Sequence, residues 1–123
     1  MNISNDSTAP IYIQIAEWIE NEILAERLQE AGKVYSQYQL AELFNINPAT
    51  AGKGLTILLE NDIVYKKRGL GMFVQVGAKE LILAKRRDEK LSKLAKEIVQ
   101  EAKRLFVQDE ELIELIKKAQ REE

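Results

Sequence analysis

The chain has neither cysteine nor histidine among its 123 residues. Without cysteine there is no disulfide, zinc–thiolate site, iron–sulfur cluster or thiol nucleophile. Without histidine the usual general base and the commonest metal ligand are missing, and the Ser-His-Asp triad with them. The carboxylate pairs at helical spacing read as surface charge, because so short a chain has little room for a cleft. An enzyme is therefore not expected, nor a cofactor or a metal. Long apolar runs are also lacking. The longest, Leu81 to Ala84, has four residues, against the ~20 that cross a bilayer. The opening MNISNDSTAP shows no basic start and no apolar export signal. These absences predict a cytoplasmic protein with no membrane partner.

What is present suits one small domain plus an appendage. Hydrophobic residues are 46% of the chain, enough for a core, and charged residues 31%. The formal charge is −2, but its distribution is uneven. Residues 1–33 carry two basic and six acidic groups. Residues 34–77 carry four basic groups, Lys53, Lys66, Lys67 and Arg68, and three acidic ones. Local clusters of this kind decide anion binding more than net charge does.

The apolar pattern predicts a helix from Pro10, placed at its first position with Ser7 or Thr8 as cap. Ile11, Ile15, Ile19 and Ile23 form its core stripe, Trp18 packs beside them, and Glu17, Glu20, Glu22 and Glu26 take other faces. Gly32 closes the region. A short helix runs from Ser36, its cap, to Phe44, with Leu40, Ala41, Leu43 and Phe44 on the apolar face. After the turn Asn45-Ile46-Asn47 a third helix starts, capped by Asn47 with Pro48 at its first position, and runs to about Asn61. Gly52 and Gly54 inside it each cost roughly 1 kcal/mol relative to alanine, so packing must hold it. The strands Ile63–Tyr65 and Met72–Val76 then flank the turn Lys66–Gly71 as a β-hairpin. From Ala78 the chain is helical again. Ala84, Leu91, Ala95, Ile98, Ala102 and Leu105 form a heptad-like seam interrupted at Arg87-Asp88. Asp109 caps a last helix carrying Leu112, Ile113, Leu115 and Ile116.

Helix, helix, tight turn, helix, hairpin is the order of a winged helix-turn-helix. The third helix would present Asn47, Ala49 and Thr50 to a major groove, with Lys53 one turn in. Its free N–H groups favour a phosphate. The hairpin turn, cationic and glycine-containing, would be the wing.

Three blocks resemble the GntR family of transcription regulators. Pro10-Ile11-Tyr12-Ile13-Gln14-Ile15 is similar to the family's P-[LI]-Y-x-Q-[IL] opening. Asn47-Pro48-Ala49-Thr50-Ala51-Gly52-Lys53-Gly54 resembles its recognition helix, and Arg68-Gly69-Leu70-Gly71-Met72-Phe73-Val74 its wing. The short tail resembles the YtrA-like subfamily, with Asp109–Ile116 similar to the closing helix. The 46 residues after position 77 are enough for two helices, and no effector domain is expected in them.

The resemblance implies a homodimer joined through its C-terminal helices and bound to a near-palindromic double-stranded operator. It also implies repression of an operon that often encodes an ABC transporter. DNA contacts are expected from Ser36, Gln37, Tyr38, Asn47, Ala49, Thr50, Lys53, Lys67, Arg68 and Gly69. Dimer contacts are expected from Leu91, Ile98, Ala102, Leu105, Leu112 and Ile116. No small-molecule effector is identified.

The chain departs from the family where Tyr38 replaces the arginine of the second helix. Gly52 replaces alanine or arginine, Asp62 the glycine closing the third helix, and Leu70 a basic or polar residue at the wing tip. The loss of cations implies weaker DNA binding or an altered operator. The alternative is a winged-helix protein-interaction module. The expected architecture is thus mainly α with a small β-hairpin: a winged helix-turn-helix DNA-binding domain at 1–77 and a helical dimerisation tail at 78–123.

Overall fold

A computed structural model describes residues 8–122. Their elements are α1 (Ile11–Leu24), α2 (Gln37–Phe44), α3 (Pro48–Glu60), β1 (Val64–Lys67), β2 (Gly71–Val74), α4 (Ala78–Arg86), α5 (Ser92–Arg104) and α6 (Asp109–Arg121). A π-helical turn, Arg87–Leu91, precedes α5. The fold is mainly helical with an antiparallel hairpin, as the sequence predicts. The chain divides into two compact units between Ala84 and Lys85, beyond the expected 77/78 division. Ala78 and Ile82 of α4 are fully buried in the core of the first unit.

The first unit is built on the isoleucine stripe. Ile15, Ile19 and Ile23 are buried, and Ile11 packs half-exposed at the stripe's end. Pro10 caps α1 from outside, with ψ at 152°, rather than opening it. Its carbonyl accepts the N–H groups of Ile13 and Gln14 at 3.1 and 3.2 Å. Thr8, expected to cap, is exposed two residues earlier, and Ser7 lies outside the described residues. The helix stops at Leu24, well before Gly32. Glu26 turns left-handed at φ 63°, and the N–H groups of Arg27 and Leu28 donate back to the Glu22 carbonyl. No glycine marks this stop.

Two glutamates depart from the expected solvated faces: Glu20 and Glu22 are buried. Glu22 enters with a counter-charge. Arg27 Nη2 and Nε lie 2.6 and 2.7 Å from its Oε2. The hydrogen bond donated to Glu22, then the charge of that carboxylate, raise the Arg27 guanidinium above its ordinary pKa.

α2 opens with a reciprocal cap. Ser36 Oγ accepts the Gln39 N–H at 3.1 Å, while Gln39 Oε1 accepts the Ser36 N–H at 2.8 Å. Leu40 and Ala41 are buried. Phe44 meets Trp18 edge-on at 4.9 Å between ring centroids, and Tyr35 lies 5.6 Å from Trp18. Trp18 is thus a packing residue. Leu43, expected on the apolar face, is 57% exposed; the packed side of this short helix is taken by Leu40, Ala41 and Phe44.

In the hairpin, Val64 pairs with Val74, Tyr65 with Phe73, Lys66 with Met72 and Lys67 with Gly71. The strands are shifted from expectation. Lys66 and Lys67 extend β1, while Gln75 and Val76 leave β2 where Gly77 turns the chain at φ 81°. The connection shrinks to Arg68-Gly69-Leu70. The segment 31–34 lies along the free edge of β2. Val34 donates to Met72 at 2.8 Å, and Val74 to Gly32 at 2.9 Å. The sequence pattern predicts no strand there.

The second unit holds α5 and α6. The π-helical turn falls where the seam is interrupted, at Arg87-Asp88. Gln108, not Asp109, caps α6, and Glu111 Oε1 accepts the Gln108 N–H at 3.5 Å. Asp109 is the first helical residue, where its carboxylate favours the positive helix end. No helix among the described residues is long and apolar enough to cross a membrane.

Candidate nucleic-acid interface

The link from α2 to α3 is set by two asparagines. Asn45 ends α2 at φ 54°, a left-handed position asparagine tolerates. The next N–H, of Ile46, returns to the Ala41 carbonyl at 3.0 Å. Ile46 packs on the core, which turns the chain sharply. Asn47 then caps α3, its Oδ1 accepting the Ala49 N–H at 2.7 Å. Pro48 follows at the first helical position, where no N–H is needed.

α3 is anchored by one face and open at its start. Ala51, Gly54, Leu55 and Leu58 are buried. A Cβ on Gly54 would come 2.9 Å from both Ile15 Cγ2 and the Tyr12 carbonyl oxygen. The glycine therefore permits the close α1–α3 crossing that holds this helix despite its weak propensity. Asn47, Pro48, Ala49 and Lys53 are exposed, and Thr50 is half-buried. The helix end is thus free to meet a ligand.

Of the contacts expected from α2, Gln37 lies against α3. Gln37, half-buried, reaches α3: a Cβ on Gly52 would lie 3.0 Å from its Oε1. Tyr12, Gln37, Gly52 and Lys53 line one shallow groove. Lys53 Nζ sits 4.4 Å from the Tyr12 ring centroid, a cation–π contact that orients the ammonium. Tyr12 was not among the expected site residues; its place in the opening motif was the only sequence signal. Ser36 is exposed while capping α2, and Tyr38 is 69% exposed with its ring toward solvent.

The wing supplies Lys67, Arg68 and Gly69, all exposed. Leu70 N–H donates to the Lys67 carbonyl at 2.9 Å, and Gly69 occupies the turn at φ 78°. That left-handed angle favours glycine. Lys67 Nζ lies 4.7 Å from the Phe73 ring centroid. Among the described residues, no ion pair engages Lys53, Lys66, Lys67 or Arg68. Four cations on an acidic chain thus stand without carboxylate partners among the described residues, Lys53 on α3 and the other three in the hairpin.

In the tail, Leu91, Ile98, Leu105 and Ile116 are exposed, and Leu112 is half-buried. Ala102 is already buried within the chain, at 8%.

Fold and site together define a winged helix-turn-helix transcription regulator. No family model matches the chain. It is 31% identical over 115 residues to the helix-turn-helix transcriptional regulator YhcF of Bacillus subtilis, covering 90% of each chain. It is 35% identical over 74 residues to the transcriptional repressor NagR of the same organism, covering 60% of this chain but only 30% of NagR. Among solved structures, a GntR-family regulator from Bacteroides thetaiotaomicron superposes with a TM-score of 0.78 at 29% identity, covering 93% of this chain and all of that one. YtrA from Sulfolobus acidocaldarius superposes at 0.57 with 26% identity, over 71% of this chain and 94% of that one. The AraR DNA-binding domain, solved in complex with operator DNA, shares the fold at 0.53 and 23% identity over 60% of this chain and 89% of that one.

The chain belongs to the GntR family of helix-turn-helix transcription regulators. The matched relatives are regulators, not enzymes.

Proposed function

We propose that the chain is one subunit of a cytoplasmic, homodimeric repressor that reads a near-palindromic operator. The observation that carries this reading is the exposed, Asn47-capped start of α3, together with a wing whose cations lack carboxylate partners among the described residues. Residues 1–77 carry the DNA-binding part, Ala78 and Ile82 of α4 complete its core, and the rest of the tail to 123 is the dimerisation part. In this reading Asn47, Ala49, Thr50 and Lys53 meet the major groove, while Ser36, Gln37 and Tyr38 contact the flanking backbone. Lys67, Arg68 and Gly69 lay the wing on the adjacent strand or minor groove.

Dimerisation follows from burial. Exposed Leu91, Ile98, Leu105 and Ile116 each gain about 1.5–3 kcal/mol when covered, and half-buried Leu112 extends the seam. A two-fold pair also presents two recognition helices about 34 Å apart, one DNA turn. The family resemblance adds the target class, an operon encoding an ABC transporter.

Titration of a labelled duplex of the chain's own promoter tests the DNA reading. Lys53→Ala and Arg68→Ala should each weaken binding and flatten its salt dependence by about one unit of slope, with unchanged melting temperature. Intact affinity in both variants would remove them from the interface. No binding even at low salt, with recovery of a defined protein partner, would favour the protein-interaction module.

A further inference from the structure

The wing has a cationic position beyond those assigned above. Lys33 pairs antiparallel with Phe73 across the edge of β2. Side chains alternate along a strand, so Lys33 shares the face of Phe73 while its neighbour Val34 enters the core. Tyr65, paired with Phe73 in β1, is on that face too, and the two rings stack at 5.9 Å. Lys67 lies two residues beyond Tyr65, over the Phe73 ring. The stem of Lys33 runs across Gly71: a Cβ there would stand 3.2 Å from Lys33 Cε and 4.0 Å from its Nζ. Gly71 is the register partner of Lys67.

Lys33 and Lys67 therefore occupy one outer face of the wing with a stacked aromatic pair. Both are exposed, and among the described residues neither has an ion-pair partner. Lys33 is also three residues before Ser36, the cap of α2. Two residues assigned to the duplex thus lie close to it, Lys67 through Gly71 on the sheet and Ser36 along the chain. An edge lysine can simply blunt strand pairing. Here the Lys33 stem is laid over Gly71, toward the wing.

We infer that Lys33 is a further DNA-phosphate contact, forming with Lys67 a two-ammonium rim that carries the wing's cationic surface toward α2. This rests on the reading that the wing lies on DNA. Lysine acts as a point charge on phosphate oxygens rather than reading bases, so Lys33 adds affinity and salt dependence without sequence preference.

The test compares wild type with Lys33→Gln, Lys33→Arg, Lys53→Ala and Arg68→Ala on a labelled duplex of the chain's own promoter, from 50 to 200 mM KCl. Lys33→Gln keeps an aliphatic stem over Gly71 and removes the charge. Its slope of log affinity against log salt should be shallower by about 0.9, narrowing its gap to wild type about threefold over that range. Lys33→Arg should keep the wild-type slope, and the melting temperatures should agree. If Lys33→Gln keeps the full slope while Lys53→Ala and Arg68→Ala lose theirs, the inference is overturned and the DNA reading stands. If none of the variants changes slope, both fall.

Discussion

In the first unit the large aliphatic side chains converge. Ile15, Ile19, Leu40, Leu58, Ile63 and Ile82, drawn from three helices, the α3–β1 link and α4, are all but inaccessible to solvent. In the second unit the amphipathic helices α5 and α6 leave Leu91, Leu94, Ile98, Val99, Leu105, Phe106, Ile113, Leu115 and Ile116 exposed, and Ala102 is the one buried residue among those described there. Composition alone does not separate the two. Two short helices cannot enclose an apolar stripe as broad as their own surface, whereas three crossing helices and a hairpin can. The first unit satisfies its sequence within one chain, and the second calls for another surface.

That contrast is broken most directly in the tail. Ile98→Asp combined with Leu105→Asp should leave the first unit folded and convert dimer to monomer in sedimentation velocity. Promoter affinity should fall about 10²–10⁴-fold as the linked second half-site is lost. A variant that remains dimeric would mean another surface joins the copies.

The converse substitution is Leu58→Ala. It empties a fully buried position and should cost about 2–5 kcal/mol in denaturant titration. Ile98→Ala should cost the monomer under about 1 kcal/mol, since its side chain is already wet. Equal costs at the two sites would erase the distinction between the units.

Smaller effects sharpen the account of α3. Gly54→Ala gains about 1 kcal/mol of helix propensity but drives a Cβ into Ile15 and the Tyr12 carbonyl, an overpacking cost of about 1–3 kcal/mol. A net loss in melting temperature is expected. Gly52→Ala meets only the amide end of Gln37, which can move aside, so it should be neutral or slightly stabilising. The smallest change is Asp62→Gly. Asp62 holds φ 59° at the close of α3, and glycine there should gain roughly 0.5 kcal/mol after its larger unfolded-state freedom is counted. A loss would mean the carboxylate has a role in the turn.

The parts of this design that the sequence reveals are those set by neighbours in the chain. The caps at Ser36 and Asn47, Pro48 at the start of α3, and the wing glycines each follow from backbone chemistry within a few residues. The Ile15, Ile19 and Ile23 stripe follows from helical period. Other features depend on partners far along the chain. The 31–34 edge segment is too short to show a period and is extended along the open edge of β2. Glu22 reads as surface charge until Arg27 turns back onto it after the left-handed Glu26. Gly54 looks like a defect in α3 until α1 is laid across it. Of the proposed site, Asn47, Ala49, Lys53 and Arg68 are named from the turn and wing alone. Tyr12 and Lys33 could not, because their relation to Lys53 and Gly71 comes only from tertiary placement.

Selection of bound duplexes from a random DNA pool, with the stoichiometry of the winning complex, bears most directly on the central claim that a paired molecule presents the Asn47 helix and its wing twice to DNA. The account predicts an inverted repeat whose half-sites lie about one helical turn apart, bound by two copies of the chain. No enrichment at low salt, or a single asymmetric site bound by one copy, would contradict it.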